Sequence, residues 1–164
     1  MNILTPLLLI ILLSGCIDKT SSSSVNPNEI QISSIRWGEN ELNEISHKIV
    51  DAILRSKQVD FSKKRCYYFA KIRNDSHDQI ETNRLKNKIK SLLLKSTKLN
   101  ITDDEQISDY LFKGKISSIL KKNRNAKDMF FTFNLTLTQK EDAAIVWSHE
   151  VEIRKVYERA LIAW

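Results

Sequence analysis

The side chains that could carry catalysis or bind a metal are few and widely spaced in this sequence. The three histidines, His47, His77 and His149, lie in different segments, and none has metal-ligand spacing to another histidine, cysteine or carboxylate. The 3 glycines cannot form a phosphate-binding loop or a nucleophile elbow. We therefore predict a protein that is not an enzyme, with no catalytic residues, no metal site and no cofactor.

Cys16 has the clearest chemistry, because it ends an apolar run at the N-terminus. Residues 3–13 match the hydrophobic region of a signal peptide and fall short of the roughly 18 apolar residues that a membrane-spanning helix needs. The sequence Leu13-Ser14-Gly15-Cys16 resembles the lipobox of bacterial lipoproteins. That resemblance implies cleavage before Cys16, diacylglycerol on its sulfur and acylation of its new amino group, and two or more acyl chains hold a protein stably at a membrane.

Two alternatives to this anchor stay open. An ordinary secretory signal with an incidental cysteine is one, since no Lys or Arg precedes the apolar run. The other concerns the membrane: Ile17 is not the aspartate that retains many enterobacterial lipoproteins in the inner membrane, whereas Asp18 follows one position later. We predict a lipid-anchored protein on the periplasmic face of the outer membrane.

Composition divides the chain into three parts: a lipoprotein signal peptide (residues 1–15), the lipidated cysteine with a flexible tether (residues 16–29) and a globular domain (residues 30–164). The tether is polar and Ser-rich, so it cannot bury enough apolar surface to fold. A dozen such residues extend to at most about 40 Å and span about 20 Å as a coil. The domain should therefore stay close to its membrane.

The domain is basic. All 26 Lys and Arg and all 20 Asp and Glu follow residue 15, so the mature chain keeps a formal charge of +6. This excess favours an acidic partner, such as an anionic lipid surface, a wall polymer or an acidic protein patch, and export argues against nucleic acid. With Cys16 lipidated, Cys66 has no disulfide partner. We expect Cys66 to be a small buried hydrophobe in a strand rather than a reactive thiol.

Hydrophobic periodicity predicts strands and helices in the first two thirds of the domain. Residues 30–37 and 65–74 read as strands, and helical spacing from Leu42 to Ile53 predicts about four turns. Ser76 and Asp78 offer capping boxes for a second helix, whose lysine-rich face over residues 84–95 is either an anion site or simply solvated. A further capping box at Thr102 predicts a short helix that ends near residue 108.

Three alternating segments in the last third read as an antiparallel meander. They begin at Tyr110, Met129 and Ile145, and polar turns at residues 121–127 and 139–143 join them. His149 alternates with apolar neighbours, so it could be half-buried. The fold class is therefore α+β: a two-layer sandwich with a mixed or antiparallel sheet, whose C-terminal three-strand meander is covered by helices on one face.

Four segments also resemble one family. Residues 109–119 (DYLFKGKISSI) look like the signature of LpoB-type penicillin-binding-protein activators. Residues 72–76 with 80–82, residues 129–138, and residues 145–147 with 152–155 agree in order. The resemblance implies a small α/β lipoprotein domain that binds a bifunctional class A penicillin-binding protein and raises its peptidoglycan synthesis. Enterobacterial members carry a long Pro-rich linker, and this tether is shorter.

The solvent-exposed face of the meander contains the candidate residues for contact with such a partner. Tyr110 and Trp37 are either further contacts or core residues. Gly114, inside a strand, marks a bulge or close packing rather than a contact. The charged candidates are Lys113, Lys115, Glu150, Glu152 and Arg154.

Two other functions compete with synthase activation. One is an envelope structural or assembly lipoprotein that binds an anionic wall or lipid component through residues 84–95. The other is a secretion accessory similar to curli-export lipoproteins, which would need long amphipathic hairpins for a pore. The sequence has no spare segment for such hairpins, so the secretion function is disfavoured.

Overall fold

Helices and strands account for most of the described chain. The computed structural model describes residues 35–59, 61, 65–96, 99–124 and 126–158, which all belong to one unit, Ser33–Trp164. The predicted signal peptide and tether, residues 1–29, lie outside the described residues. In chain order the described elements are α1 (Glu39–Arg55), β1 (Cys66–Phe69), β2 (Arg73–Asp75), α2 (Thr82–Ser96), β3 (Asn100–Thr102), β4 (Tyr110–Lys122), β5 (Ala126–Gln139) and β6 (Ile145–Glu158).

The described strands form one mixed sheet in the order β3-β1-β4-β5-β6, with β2 paired to β4. β1 runs parallel to both β3 and β4, and β2 also runs parallel to β4. β4, β5 and β6 pair antiparallel as the predicted meander. Because α1 and α2 pack their apolar sides on one face of this sheet, the predicted α+β sandwich is confirmed.

The core lies between the helices and the sheet. Alternate residues of each long strand point into it, which confirms the period-2 pattern of β5 from Met129 to Leu137. The buried core residues of the described chain run from Leu42 to Ile153, and Ile35 and Trp37 pack against them, so a fragment of residues 29–164 contains this core and the whole compact unit Ser33–Trp164. The apolar side chains with at most 1 % exposure are Ile45, Ile49, Ile53, Leu85, Ile89, Leu93, Phe112, Ile116, Phe131, Phe133, Leu135 and Leu137.

Gly114 explains why the strand predicted at residues 65–74 is interrupted. β1 pairs with β4 as far as Phe112, and β2 resumes the pairing at Lys115. Three residues, 70–72, therefore stand opposite two, 113 and 114, which is the arrangement of a bulge. A Cβ on Gly114 would lie 3.0 Å from Ile72 Cγ1 and 3.1 Å from Phe133 Cε2. The absence of a side chain lets Ile72 pack into the core, as close packing at this glycine predicts.

The predicted helix starts around residues 76 and 102 are wrong. α2 begins only at Thr82, since Asp78 Oδ2 instead accepts the Trp37 N–H at 2.7 Å. After Thr102 the chain forms turns and no helix: Thr102 Oγ1 accepts from Asp104 N at 3.0 Å, and Asp104 Oδ1 accepts from Gln106 N at 2.8 Å. These short side chains satisfy local amides without starting a helix.

Two predictions near the ends of the domain differ from the structure where the residues are described. Residues 30–34 of the first predicted strand lie outside the described residues, and residues 35–37 are not in a strand. Ile145 is 65 % exposed although the alternation places it inside. A register shift between Leu137 and Thr138 turns it outward, because Thr138 pairs with Ile145 while Leu137 pairs with Trp147.

Candidate interaction surface

The side chains with potential catalytic chemistry do not come together. His47 on α1, His77 in the 76–78 bend and His149 on β6 are all exposed. The alternation allowed His149 to be half-buried; in the structure it is exposed and stacks on Trp147 with ring centroids 6.1 Å apart. Among the described residues, no three His, Cys, Asp or Glu side chains are grouped so that they could hold a metal ion.

The face of β2, β4, β5 and β6 that points away from the helices, here called the open face, gathers charged residues in rows. Lys115 pairs with Asn134, which pairs with Glu150. The next row consists of Ser117, Thr132 and Glu152. The five charged residues predicted from alternation, namely Lys113, Lys115, Glu150, Glu152 and Arg154, all lie on this one face.

Charge separates across the open face. Lys113 and Lys115 on β4 are exposed, and so are Glu150 and Glu152 on β6. Neutral side chains of β5 lie between these lysines and glutamates. Because β4 and β6 are two strand spacings apart, the opposite charges are separated by about 10 Å. Within the described part of the chain, none of these four residues forms an ion pair. The open face therefore presents a positive and a negative stripe that stay available to a partner.

The far end of the open face is built around Phe130. Lys121 Nζ lies 4.9 Å from the ring centroid, and the guanidinium carbon of Arg154 lies 5.6 Å from it. Arg154 also binds Asp128 at 2.7 Å. Of the five charged candidates, Arg154 is thus the one already engaged within the domain.

The two aromatic candidates belong to the packing of the domain. Tyr110 stacks on Tyr67 with ring centroids 5.4 Å apart, and Trp37 meets Phe131 edge-on at 5.5 Å. Both are half-buried. Cys66, expected inside, is also half-buried, and its sulfur accepts a hydrogen bond from Asn100 at 3.0 Å.

The lysine-rich face of α2 is partly neutralised by neighbours. Arg84 binds Glu39 at 2.7 Å, and Lys90 binds Asp103 at 2.6 Å. The hydrogen bond and the charge of Lys90 lower the pKa of the Asp103 carboxyl, with a smaller contribution from Lys86. These pairs reduce the positive field that residues 84–95 offer to an anion.

Sequence reasoning missed a polar groove at the opposite end of the sheet. Lys140 Nζ donates to the carbonyls of Glu105 and Gln106 at 2.6 and 2.9 Å, and its backbone N–H donates to Asp109 O at 2.9 Å. The Asp109 carboxylate in turn accepts the Cys66 N–H at 2.7 Å. These partners are more than 30 positions apart, so no local pattern could have indicated them. Their bonds hold the β5–β6 turn against the loop before β4.

Neither described helix is long and apolar enough to cross a membrane.

A family model described as peptidoglycan-synthase activator LpoB matches residues 41–109 and 105–153. The fold is similar to the LpoB C-terminal domain from Salmonella enterica, with 12% identity, a TM-score of 0.52, and 70% of this chain and 99% of that chain covered. It is also similar to that of Escherichia coli, with 13% identity, a TM-score of 0.51, and coverage of 69% and 98%. No curated protein matches the chain.

Proposed function

Because the chain belongs to the LpoB family of peptidoglycan-synthase activators, we propose that it binds and activates a bifunctional class A penicillin-binding protein without catalysing a reaction itself. The family match carries this proposal, since it runs from the first turn of α1 to β6. The family's activity towards penicillin-binding proteins thus provides the partner class.

Activation by a protein that does no chemistry is a binding effect. The domain must bind the active conformation of the synthase more tightly than the resting conformation, and the ratio of the two affinities sets the maximum stimulation. We assign this contact to the open face. Its positive and negative stripes would orient a partner with complementary stripes, and charges of this kind contribute mainly to association rate and specificity.

In this proposal Cys16 carries the lipid anchor, and the domain works on the periplasmic face of the outer membrane. The tether sets a limit on that geometry. A dozen residues spanning about 20 Å as a coil keep the domain near its own membrane. The synthase would therefore have to reach outward toward the anchored domain.

The direct experiment measures glycan polymerisation by the organism's own bifunctional synthase, with and without the fragment of residues 29–164. We expect faster polymerisation and co-purification of the two proteins. Unchanged polymerisation together with no co-purification would contradict the proposal. A heat-unfolded sample of the same fragment serves as the control for non-specific protein effects.

A further inference from the structure

The turn between β4 and β5 projects a cluster of cations. Lys121, Lys122, Arg124 and Lys127, here called the basic tip, fall within residues 121–127, and all four are exposed. In the part of the chain that the structure describes, Lys122, Arg124 and Lys127 form no ion pair. This distinguishes the basic tip from the α2 face, where carboxylates already bind two of the cations.

Apolar side chains accompany these cations. Ile119 is 60 % exposed and Val156 is 39 % exposed, both on the open face beside the tip. The half-buried Phe130 ring lies beneath Lys121. Exposed aliphatic groups flanked by long cationic side chains are typical of surfaces that rest on lipid headgroups, because the apolar atoms enter the interface while the charges meet the phosphates.

The chain also enters the domain at this end of the sheet. The Arg36 carbonyl accepts a hydrogen bond from Lys155 Nζ at 2.7 Å. Tyr157 pairs with Lys127 of the basic tip. Lys155 lies two residues before Tyr157, which is about 7 Å along β6. The first described residues of the domain therefore lie at the same end of the sheet as the basic tip.

We propose that the basic tip docks on the anionic headgroup surface of the membrane that carries the lipid anchor. Docking would place the β4–β5 turn against the membrane, so that the long strands point towards it. The open face would then stay accessible from the side. The orientation rests on the anchor proposed above, whereas lipid binding by the tip does not. Each exposed cation near an anionic surface contributes about a fivefold gain in affinity, which falls as ionic strength rises.

The test is co-sedimentation of the fragment of residues 29–164 with phosphatidylglycerol vesicles and with phosphatidylcholine vesicles at low salt. We expect binding to the first only. The variant Lys122→Gln, Arg124→Gln, Lys127→Gln should bind about 100-fold more weakly. The matched control, Lys86→Gln, Lys88→Gln, Lys95→Gln, removes the same charge from α2 and should lose less than about fivefold.

Three results would overturn the proposal. They are absence of binding to phosphatidylglycerol vesicles, equal losses in the two triple variants, and loss of binding to purified peptidoglycan by the tip variant while vesicle binding persists. Stimulation of glycan polymerisation is measured in parallel in the absence of vesicles. It should survive in the tip variant, so failure of lipid docking is distinguishable from failure of synthase activation.

Discussion

Lys155 Nζ on β6 lies 2.9 Å from Glu41 Oε1 on α1, with the two side chains only 19% and 10% exposed. Glu41 Oε2 also accepts the Gly38 N–H at 2.8 Å, at the start of the helix. One carboxylate thus satisfies an amide at the N-terminus of α1 and an ammonium group on the sheet. This contact fixes where α1 begins relative to the end of β6.

Glu41→Ala should lower the free energy of unfolding by about 2 kcal/mol, because it leaves the Lys155 ammonium partly buried without its carboxylate and removes the bond to Gly38. Urea denaturation of residues 29–164 measures this change. Glu44→Ala is the control, since Glu44 pairs with Lys48 in solvent, and it should cost less than about 0.5 kcal/mol. Equal losses in the two variants would contradict the role given to Glu41.

Gly114→Ala should destabilise the domain by about 1–3 kcal/mol, because the new Cβ would contact Ile72 and Phe133 more closely than ordinary packing allows. Urea denaturation measures the loss. Adding Phe133→Leu should cost less in the Gly114→Ala background than in the native protein, since the smaller side chain makes room. Additive losses in this double-mutant cycle would show that the close approach to Phe133 is not the cause.

The meander and its faces could be predicted from the sequence because strand alternation is a local pattern. On β5 it identified the buried residues from Met129 to Leu137, and on β4 and β6 it placed Lys115 and Glu150 on one face. Alternation failed at Ile145, where a register shift decides which way the side chain points. Register depends on pairing between strands, which the sequence of one strand does not contain.

The turns and ends of the elements depend on distant partners, so local patterns misplaced them. Asp78 fits a capping box, but the Trp37 amide, 41 positions away, takes its carboxylate. The Glu105 carbonyl, inside the predicted short helix, accepts from the distant Lys140 Nζ as well as from Ser108. Tertiary partners such as these override propensity in short segments.

The pKa of Asp103 should rise towards its ordinary value in Lys90→Gln, because Lys90 is the main cause of its lowering. Because the pKa of Asp103 is lowered in the folded state, its pairing with Lys90 stabilises the fold at pH values above the unfolded-state pKa. That stabilisation is lost as pH falls through the folded-state pKa. NMR titration of the Asp103 side chain measures the shift. Lys88→Gln serves as the control, and an unchanged Asp103 pKa in Lys90→Gln would contradict the pairing.

Cys16→Ala should abolish incorporation of labelled palmitate, because in our proposal this residue carries the acyl chains. Cys66→Ala is the matched control and should keep the label, since Cys66 lies in β1 of the domain. Palmitate labelling that persists in Cys16→Ala would show that Cys16 is not the attachment site.

Lys113→Glu with Lys115→Glu should weaken binding to the synthase about 10–100-fold, with most of the change in the association rate, because the positive stripe of the open face becomes negative. Both residues are exposed and unpaired within the described residues, so the urea midpoint should change little. Surface plasmon resonance at two salt concentrations measures the rates, and the native protein should show the steeper salt dependence. The control Lys86→Glu with Lys88→Glu carries the same charge change on α2. If that control loses as much affinity, net charge rather than the open face governs binding.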